Sequence, residues 1–145
     1  MLPPKASRRS GGRSVSQANV EIVRRALDRA EATQYYGDPE FFARDLVYRP
    51  IGEWAESAEC RGLDEYRRFL ERFREAWADL KIDEISFHDY GDAVSVRVEF
   101  SGHARASGVP ITAKVFSVNW LRDGLIVRIE DYTDRDDVLK AVGAE

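Results

Sequence analysis

Residues 114–134, KVFSVNWLRDGLIVRIEDYTD, predict two long β-strands joined by a tight turn. Asp123 and Gly124 are the residue types that supply the positive φ angles of a two-residue hairpin turn, and β-branched and aromatic residues lie on both sides of them. The second strand ends in the acidic residues Glu130, Asp131 and Asp134. A carboxylate at the end of an otherwise apolar strand is a candidate for chemistry.

Around this hairpin the sequence predicts helices first and then an antiparallel meander. Apolar residues at helical spacing, alternating strands and turn signals give the boundaries. The predicted elements are helices from Ser16 to about residue 36, over 40–46 and over 63–78, strands over 47–50, 80–90, 93–106, 110–122 and 125–133, and a last helical turn or two over 134–142. We therefore predict an α+β roll, a curved antiparallel sheet with three helices of the N-terminal half packed on its concave face, leaving a cone-shaped cavity.

Size and composition indicate one domain, over residues 16–142. A chain of 145 residues can bury a continuous core, and its single cysteine, Cys60, excludes an internal disulfide. No run is long enough to cross a bilayer, and the N-terminus lacks the apolar core of a signal peptide. We expect a cytoplasmic protein with no membrane contact.

Charge is unevenly distributed along the chain. Residues 1–15 hold four basic residues and no acidic one, which leaves 18 basic and 26 acidic residues in the remainder. An acidic body argues against nucleic acid as a partner. The Pro, Gly and Ser content of residues 1–15 predicts a disordered basic tail, with contact to an anionic surface as the alternative.

Four phrases, together with the order of elements, resemble the SnoaL-like branch of the nuclear transport factor 2-like superfamily over roughly residues 16–142. The phrases are YRP at 48–50, CRG at 60–62, WLRDG at 120–124 and RIEDYTD at 128–134. The resemblance implies a cone-shaped α+β fold with a pocket, and a homodimer formed through the outer face of the sheet. The superfamily includes polyketide cyclases, ketosteroid isomerases, dehydratases, limonene-type epoxide hydrolases and members that only bind or dimerise, so it leaves the reaction open.

The ketosteroid isomerase pattern places a general base just before a Pro-Val-Gly-like phrase. Here Arg49 precedes Pro50-Ile51-Gly52. Because arginine stays charged at neutral pH, it cannot abstract a proton. The sequence therefore argues against that activity.

The limonene-type epoxide hydrolase pattern implies a different set of residues. It corresponds here to Arg97 and Glu99 in Arg-Val-Glu, Asp131 in Glu-Asp-Tyr, and Tyr48. Two departures argue against hydrolysis: glutamate replaces an expected aspartate, and Pro50 stands where a water-holding asparagine is expected.

Two carboxylates in a poorly hydrated cavity cannot both ionise comfortably, so one becomes an acid and the other remains a base. On this argument Asp131 is the base, Glu99 the acid and Arg97 the bridge between them, while Tyr48 donates a hydrogen bond to the reacting oxygen. The alternative is that Arg97 and Glu99 pair across strands on an outer face of the sheet. Asp131 has a structural alternative too, as a cap of the last helical turn.

Three further residues, Trp54, His103 and Tyr35, are candidate ligand contacts. Trp54 lies in a loop that is a candidate lid, although a tryptophan that only packs on Tyr35 or Tyr36 would look the same in the sequence. His103 lies two alternations beyond Glu99 and is a second acid–base candidate, with a plain surface position as the alternative. The two histidines are too far apart to predict a metal site, and no cofactor motif is present.

These observations support two hypotheses of different class. The first is a cofactor-independent acid–base enzyme acting on a small apolar molecule with a carbonyl, hydroxyl or epoxide group. The second is a binding or dimerisation module that keeps the fold without the chemistry. They differ in whether Arg97, Glu99 and Asp131 converge inside the cavity.

Overall fold

The computed structural model describes residues 15–51 and 59–144. Residues 1–14 of the predicted tail, and the Trp54 loop at 52–58, lie outside that description. The elements in chain order are α1 (Val15–Thr33), β1 (Phe42–Arg49), β2 (Cys60–Arg61), α2 (Gly62–Glu75), β3 (Lys81–Asp89), β4 (Ala93–His103), β5 (Pro110–Arg122), β6 (Leu125–Tyr132) and α3 (Arg135–Val142).

The six strands form one curved, unclosed sheet in the order β2-β1-β6-β5-β4-β3. Strand β1 runs parallel to β6, whereas every other neighbouring pair is antiparallel. The predicted hairpin is confirmed: β5 and β6 pair from Phe116 and Tyr132 to Arg122 and Leu125. Its turn contains Asp123 at φ 53° and Gly124 at φ 81°. The α+β fold class is thus confirmed, with a mixed sheet in place of the purely antiparallel one.

Helices α1 and α2 cover the concave face of the sheet. Helix α1 packs on β3 and β4, whereas α2 packs on β1 and β2. From α2 the side chains of Leu63, Tyr66 and Phe69 are buried against the sheet. Because the two helices rest on opposite ends of the sheet, space remains between them.

The helix predicted over 40–46 is wrong, because this segment enters β1. Asp38 does begin a turn: its carboxylate accepts a hydrogen bond of 2.9 Å from the Glu40 amide, and its carbonyl accepts from the Phe41 and Phe42 amides. At Phe42 the chain then pairs with β6. Burial of Phe42 and Leu46 on the cavity side, together with that pairing, outweighs the local capping signal.

The third helix lies at the C-terminus and on the opposite face of the sheet. Asp134 begins α3 by accepting a hydrogen bond of 2.8 Å from the Asp136 amide, so Asp134, not Asp131, caps this helix. Val138 packs with Ala93 and Val118, which point away from the concave face. Of the helices in the described residues, α1 and α2 border the cavity and α3 does not. The C-terminal helical turns are confirmed.

None of the helices in the described part of the chain is long and apolar enough to cross a membrane. The homodimer stays a prediction.

Candidate functional site

A cavity of about 260 Å³ lies between the concave face of the sheet and helices α1 and α2. Its size approaches the lower end of the range typical of small-molecule pockets. Most of its described wall is apolar, with Val23, Leu27, Phe69, Phe73, Val96 and Val98 as typical members. The polar side chains among the described lining residues form an inner group around Asp131 and an outer group around Arg74.

Asp131 is the central residue of the inner group. Strand β6 directs its side chain into the cavity, and the register of the sheet sets it opposite Ser117 of β5. The Tyr48 hydroxyl donates to Oδ2 at 2.6 Å, and the Ser117 hydroxyl donates to Oδ1 at 2.7 Å. Both carboxylate oxygens are therefore held in place.

Burial raises the pKa of Asp131 to about 6, although the hydrogen bonds from Tyr48 and Ser117 oppose the rise. A carboxyl group with this pKa can take up a proton and give it back near neutral pH. The arrangement thus supplies an acid–base group whose orientation is fixed.

Tyr48 is a hydrogen-bond donor at physiological pH. Burial, followed by the negative charge of Asp131, raises the pKa of its hydroxyl well above the usual value. Its ring is held edge-on by Tyr66 at 5.1 Å and by Phe69 at 5.4 Å between centroids. The sequence analysis expected Tyr48 to donate to the reacting oxygen of a ligand, whereas in the structure its hydroxyl donates to Asp131.

Two polar residues that the sequence did not single out also line the cavity near Asp131. Burial, followed by the charge of Asp131, raises the pKa of Tyr66, and its hydroxyl makes no hydrogen bond to the residues that the structure describes. Asn119 is buried on β5, and its amide nitrogen donates to the Ser117 carbonyl at 3.1 Å. Its Oδ1 accepts no hydrogen bond within the described part of the chain. Both groups are available to a ligand.

The signal that would have found Ser117 and Asn119 is the alternation in Phe-Ser-Val-Asn-Trp over 116–120. The apolar residues of this phrase point to α3, and its polar residues point into the cavity. Tyr66 gave no such signal, because an aromatic residue in the apolar stripe of a helix is typical of core.

The outer group bridges α1 and α2 through the contact between Arg74 and Glu31. The Arg74 guanidinium donates through Nε to the Tyr36 hydroxyl and through Nη2 to the Glu31 carboxylate. Tyr36 is 9% exposed, and its ring lies 5.9 Å from the guanidinium carbon. Asp28 adds a second carboxylate to this rim.

Glu130, the neighbour of Asp131, faces the other side of the sheet. It accepts hydrogen bonds from Arg128 Nε at 2.6 Å, from Arg49 Nη2 at 3.2 Å and from the Tyr132 hydroxyl. Burial alone would raise its pKa, but these donors and the two positive charges lower the pKa below the usual value. Two adjacent carboxylates are thus shifted in opposite directions.

The SnoaL-like domain family model matches residues 23–129 of this sequence. The chain belongs to the SnoaL-like family. No curated protein matches the sequence. Membership of this family, and the NTF2-like fold, support a role in binding a small molecule or in catalysis.

Crystal structures of similar domains show the same fold. An NTF2-like protein from Burkholderia xenovorans LB400 is 20% identical, with a TM-score of 0.72 over 90% of this chain and 99% of that chain. A proposed SnoaL-like polyketide cyclase from Jannaschia sp. CCS1 is 18% identical, with a TM-score of 0.64 over 94% and 99%. A proposed isomerase from Bacillus subtilis is 19% identical, with a TM-score of 0.64 over 92% and 98%. At these identities the likeness extends to the fold and not to the reaction.

The structure does not bring Arg97 and Glu99 to Asp131 in this SnoaL-like domain. On β4 it is Val96, Val98 and Phe100 that line the cavity. Because side chains alternate along a strand, Arg97 and Glu99 lie on the outer face, where Arg97 pairs with Glu99 and, at 2.8 Å, with Glu84. The expected bridge between two cavity carboxylates is corrected to a surface ion-pair cluster.

His103 and Tyr35 also lie outside the cavity wall. His103 ends β4 and contacts Asp79, with 2.8 Å between Nδ1 and Oδ2. Tyr35 is 45% exposed, and its hydroxyl accepts a hydrogen bond of 3.0 Å from Arg67. Its neighbour Tyr36 lines the cavity in its place. Trp54, the third predicted ligand contact, falls in the segment outside the described residues.

Within 15–51 and 59–144, no group of three or more His, Cys, Asp or Glu side chains is arranged to hold a metal ion. Cys60 is a free, buried thiol whose pKa is raised, mainly by burial. It is not among the cavity-lining residues and has no part in the site as built.

Proposed function

We propose that this SnoaL-like domain binds a small, largely apolar molecule bearing a carbonyl or hydroxyl oxygen and transfers a proton on it without a cofactor. The observation that supports the proposal is the Asp131 carboxyl group, whose pKa of about 6 and two fixed hydrogen bonds place an acid–base group in an apolar cavity.

In the proposed reaction, ionised Asp131 accepts a proton from the carbon next to a carbonyl group. Negative charge then develops on the carbonyl oxygen. The Tyr66 hydroxyl, which has no partner among the described residues, donates a hydrogen bond to that oxygen, while Tyr48 and Ser117 keep the carboxylate oriented. Return of the proton to a second carbon conjugated with the carbonyl gives an isomerisation. If the enolate carbon attacks a second carbonyl group of the substrate, whose oxygen then takes the proton, the product is a ring; if a β-hydroxyl group takes the proton and leaves as water, the result is a dehydration.

Proton transfer by one carboxyl group is favoured over epoxide hydrolysis. Hydrolysis of the limonene type was expected to use two carboxylates and a bridging arginine. With Arg97 and Glu99 on the outer face, the inner group has a single carboxylate among the described residues, so the expected pair of carboxylates is not formed there. The proposed substrates are therefore carbonyl and hydroxyl compounds and not epoxides.

The second candidate function is ligand binding without catalysis. The same loss of Arg97 and Glu99 from the cavity favours it, because it leaves fewer groups for chemistry. An apolar wall with a few convergent polar groups is also typical of a pure binding site.

The test is deuterium exchange of small enolisable ketones in D₂O, followed by proton NMR. We expect the wild-type protein to accelerate exchange, with a rate that rises with pH through a midpoint near 6 as Asp131 ionises. Asp131→Asn should reduce the enzymatic rate by about 10²-fold or more, which is typical for loss of a general base. Glu99→Gln removes a carboxylate from the outer face and is the matched control, with an unchanged rate.

Equal rates in the wild type and Asp131→Asn would refute the assignment of the base. If ketones bind, as saturation-transfer NMR would show, but no ketone exchanges faster than in buffer, the domain is the non-catalytic binding module.

A further inference from the structure

The mouth of the cavity lies between the C-terminal halves of α1 and α2 and the edge strand β3. The described cavity-lining residues that are exposed to solvent, Asp28, Glu31 and Ile85, lie on α1 and β3, and the half-buried Arg74 lies on α2. Arg74 joins the two helices here, because its guanidinium contacts Glu31 of α1 from a position on α2. A ligand that enters the cavity from this side passes Arg74.

Arg74 is the only basic residue among the described residues that line the cavity. Its guanidinium has five N–H donors. Nε is bonded to Tyr36 and Nη2 to Glu31, whereas Nη1 makes no hydrogen bond to the described residues. One edge of the guanidinium is therefore open to a further acceptor, and its planar geometry suits a carboxylate or sulfonate.

The two partners of Arg74 differ in how firmly they are held. Tyr36 is 9% exposed and belongs to the hydrophobic core, so it is a fixed support for the guanidinium. The Glu31 side chain is 42% exposed, against 26% for Arg74. An ion pair with an exposed partner contributes little to stability, so Glu31 can exchange for another anion at small cost.

The acidic residues around the mouth set the conditions for that exchange. Asp28 and Glu31 both line the rim, and Glu71 lies close enough to raise the pKa of Tyr36. Their negative charge opposes an incoming anion. An anionic group therefore binds Arg74 more favourably when Glu31 leaves, and Glu31 acts as a competitor for the site.

We infer that the ligand of this cavity is two-ended: an apolar body with a neutral oxygen for the inner group, and an organic anion, a carboxylate in the simplest case, that replaces Glu31 on Arg74 at the mouth. The inference rests on the proposed function only in placing the ligand in this cavity. It does not depend on whether the domain catalyses a reaction.

The test compares two fluorescent probes that share one aromatic body. 8-Anilinonaphthalene-1-sulfonate carries an anionic group, and N-phenyl-1-naphthylamine lacks it. Fluorescence titration at neutral pH gives the Kd of each probe for the wild type, Arg74→Gln, Glu31→Gln and Arg68→Gln. Arg68 is an exposed arginine of the same helix that does not line the cavity, so its variant is the matched charge control.

We expect Arg74→Gln to weaken binding of the sulfonate about tenfold, which is the size of one charge-assisted hydrogen bond, and to change the Kd of the neutral probe less than about twofold. Glu31→Gln should tighten sulfonate binding several-fold, because it removes the competitor. Arg68→Gln should leave both constants unchanged.

Several outcomes would overturn the inference. Equal weakening of both probes by Arg74→Gln would make Arg74 a packing residue, and weaker sulfonate binding by Glu31→Gln would make Glu31 a support for Arg74. Arg74→Gln removes a contact between the two helices, so circular dichroism is used to check that this variant folds. If Arg74→Gln does not fold, the result for Glu31→Gln still decides the test. If the wild type binds neither probe, the cavity is not a ligand site and the proposed function fails too. Probe binding without ketone exchange would refute only catalysis.

Discussion

Replacing Asp131 by asparagine is expected to stabilise the fold above pH 6. Burial raises the pKa of this carboxyl group to about 6, against an ordinary value of 3.8. The native state therefore holds the proton more tightly than the unfolded state does. The free energy of unfolding of the wild type falls as pH rises from about 4 to about 6, and it stays lower at higher pH.

The size of this effect follows from the two pKa values. They differ by about two pH units, and each unit corresponds to about 1.4 kcal/mol, so ionised Asp131 costs about 3 kcal/mol above pH 6. Asparagine removes that cost. It also places an N–H₂ group where a carboxyl oxygen accepted a hydrogen bond from Tyr48 or Ser117, and disturbing that bond costs about 1 kcal/mol over the whole pH range.

The measurement is urea unfolding of the wild type and Asp131→Asn at pH 4 and at pH 8, followed by tryptophan fluorescence. The variant should be more stable than the wild type by about 2 kcal/mol at pH 8, and no more stable than the wild type at pH 4. Glu99→Gln removes a carboxylate from the outer face and should change the free energy of unfolding by no more than about 0.5 kcal/mol at either pH.

One result would refute the reasoning: a difference between Asp131→Asn and the wild type that is the same at both pH values. The burial of an ionised carboxylate would then cost nothing, and the cavity would be wetter than the geometry indicates. The acid–base role proposed for Asp131 would then have no physical basis, because it depends on the raised pKa.

Two further predictions concern hydrogen bonds of single side chains. Tyr48→Phe removes the donor to Asp131 Oδ2, so the pKa of Asp131 should rise above about 6 in a carbon-13 NMR titration; a lower pKa would contradict the assigned bond. Asp134→Ala removes the cap of α3 and should lower the free energy of unfolding by about 1 kcal/mol in urea, whereas Asp134→Ser keeps a capping oxygen and should cost less than half of that. Equal losses in the two Asp134 variants would show that the side chain does not act as a cap.

Most of the fold could be predicted because the decisive signals are local. Asp123 and Gly124 determine the hairpin turn. The apolar stripe of α2 and the alternation of β4 extend over enough residues to identify a helix and a strand. The helix predicted over 40–46 was wrong for the opposite reason. Its capping signal is local and correct, but its parallel partner in β6 lies about 80 residues away, and no local pattern encodes that pairing.

The site was predictable only in part, because strand alternation does not say which face is concave. Asp131 and Tyr48 were found because the end of β6 and the start of the sheet converge in this fold. Arg97 and Glu99 have the same alternation as a catalytic pair, yet they fall on the outer face. Arg74 was hidden among the charged residues of α2, since nothing in the sequence marks which of them reaches the mouth of a cavity.

The opposite environments of Glu130 and Asp131 also determine in which register β6 can pair with β5. A slip of β6 by one residue against β5 would turn every side chain to the other face. Arg128 and Glu130 would then enter the apolar cavity, and Glu130 would lose Arg49; taking this ion pair out of water costs several kcal/mol. The slipped hairpin would thus be rejected during folding. Glu130 is suited to the outer face and Asp131 to the cavity. This difference, which gives the cavity its acid–base group, also protects the chain against a misfolded hairpin.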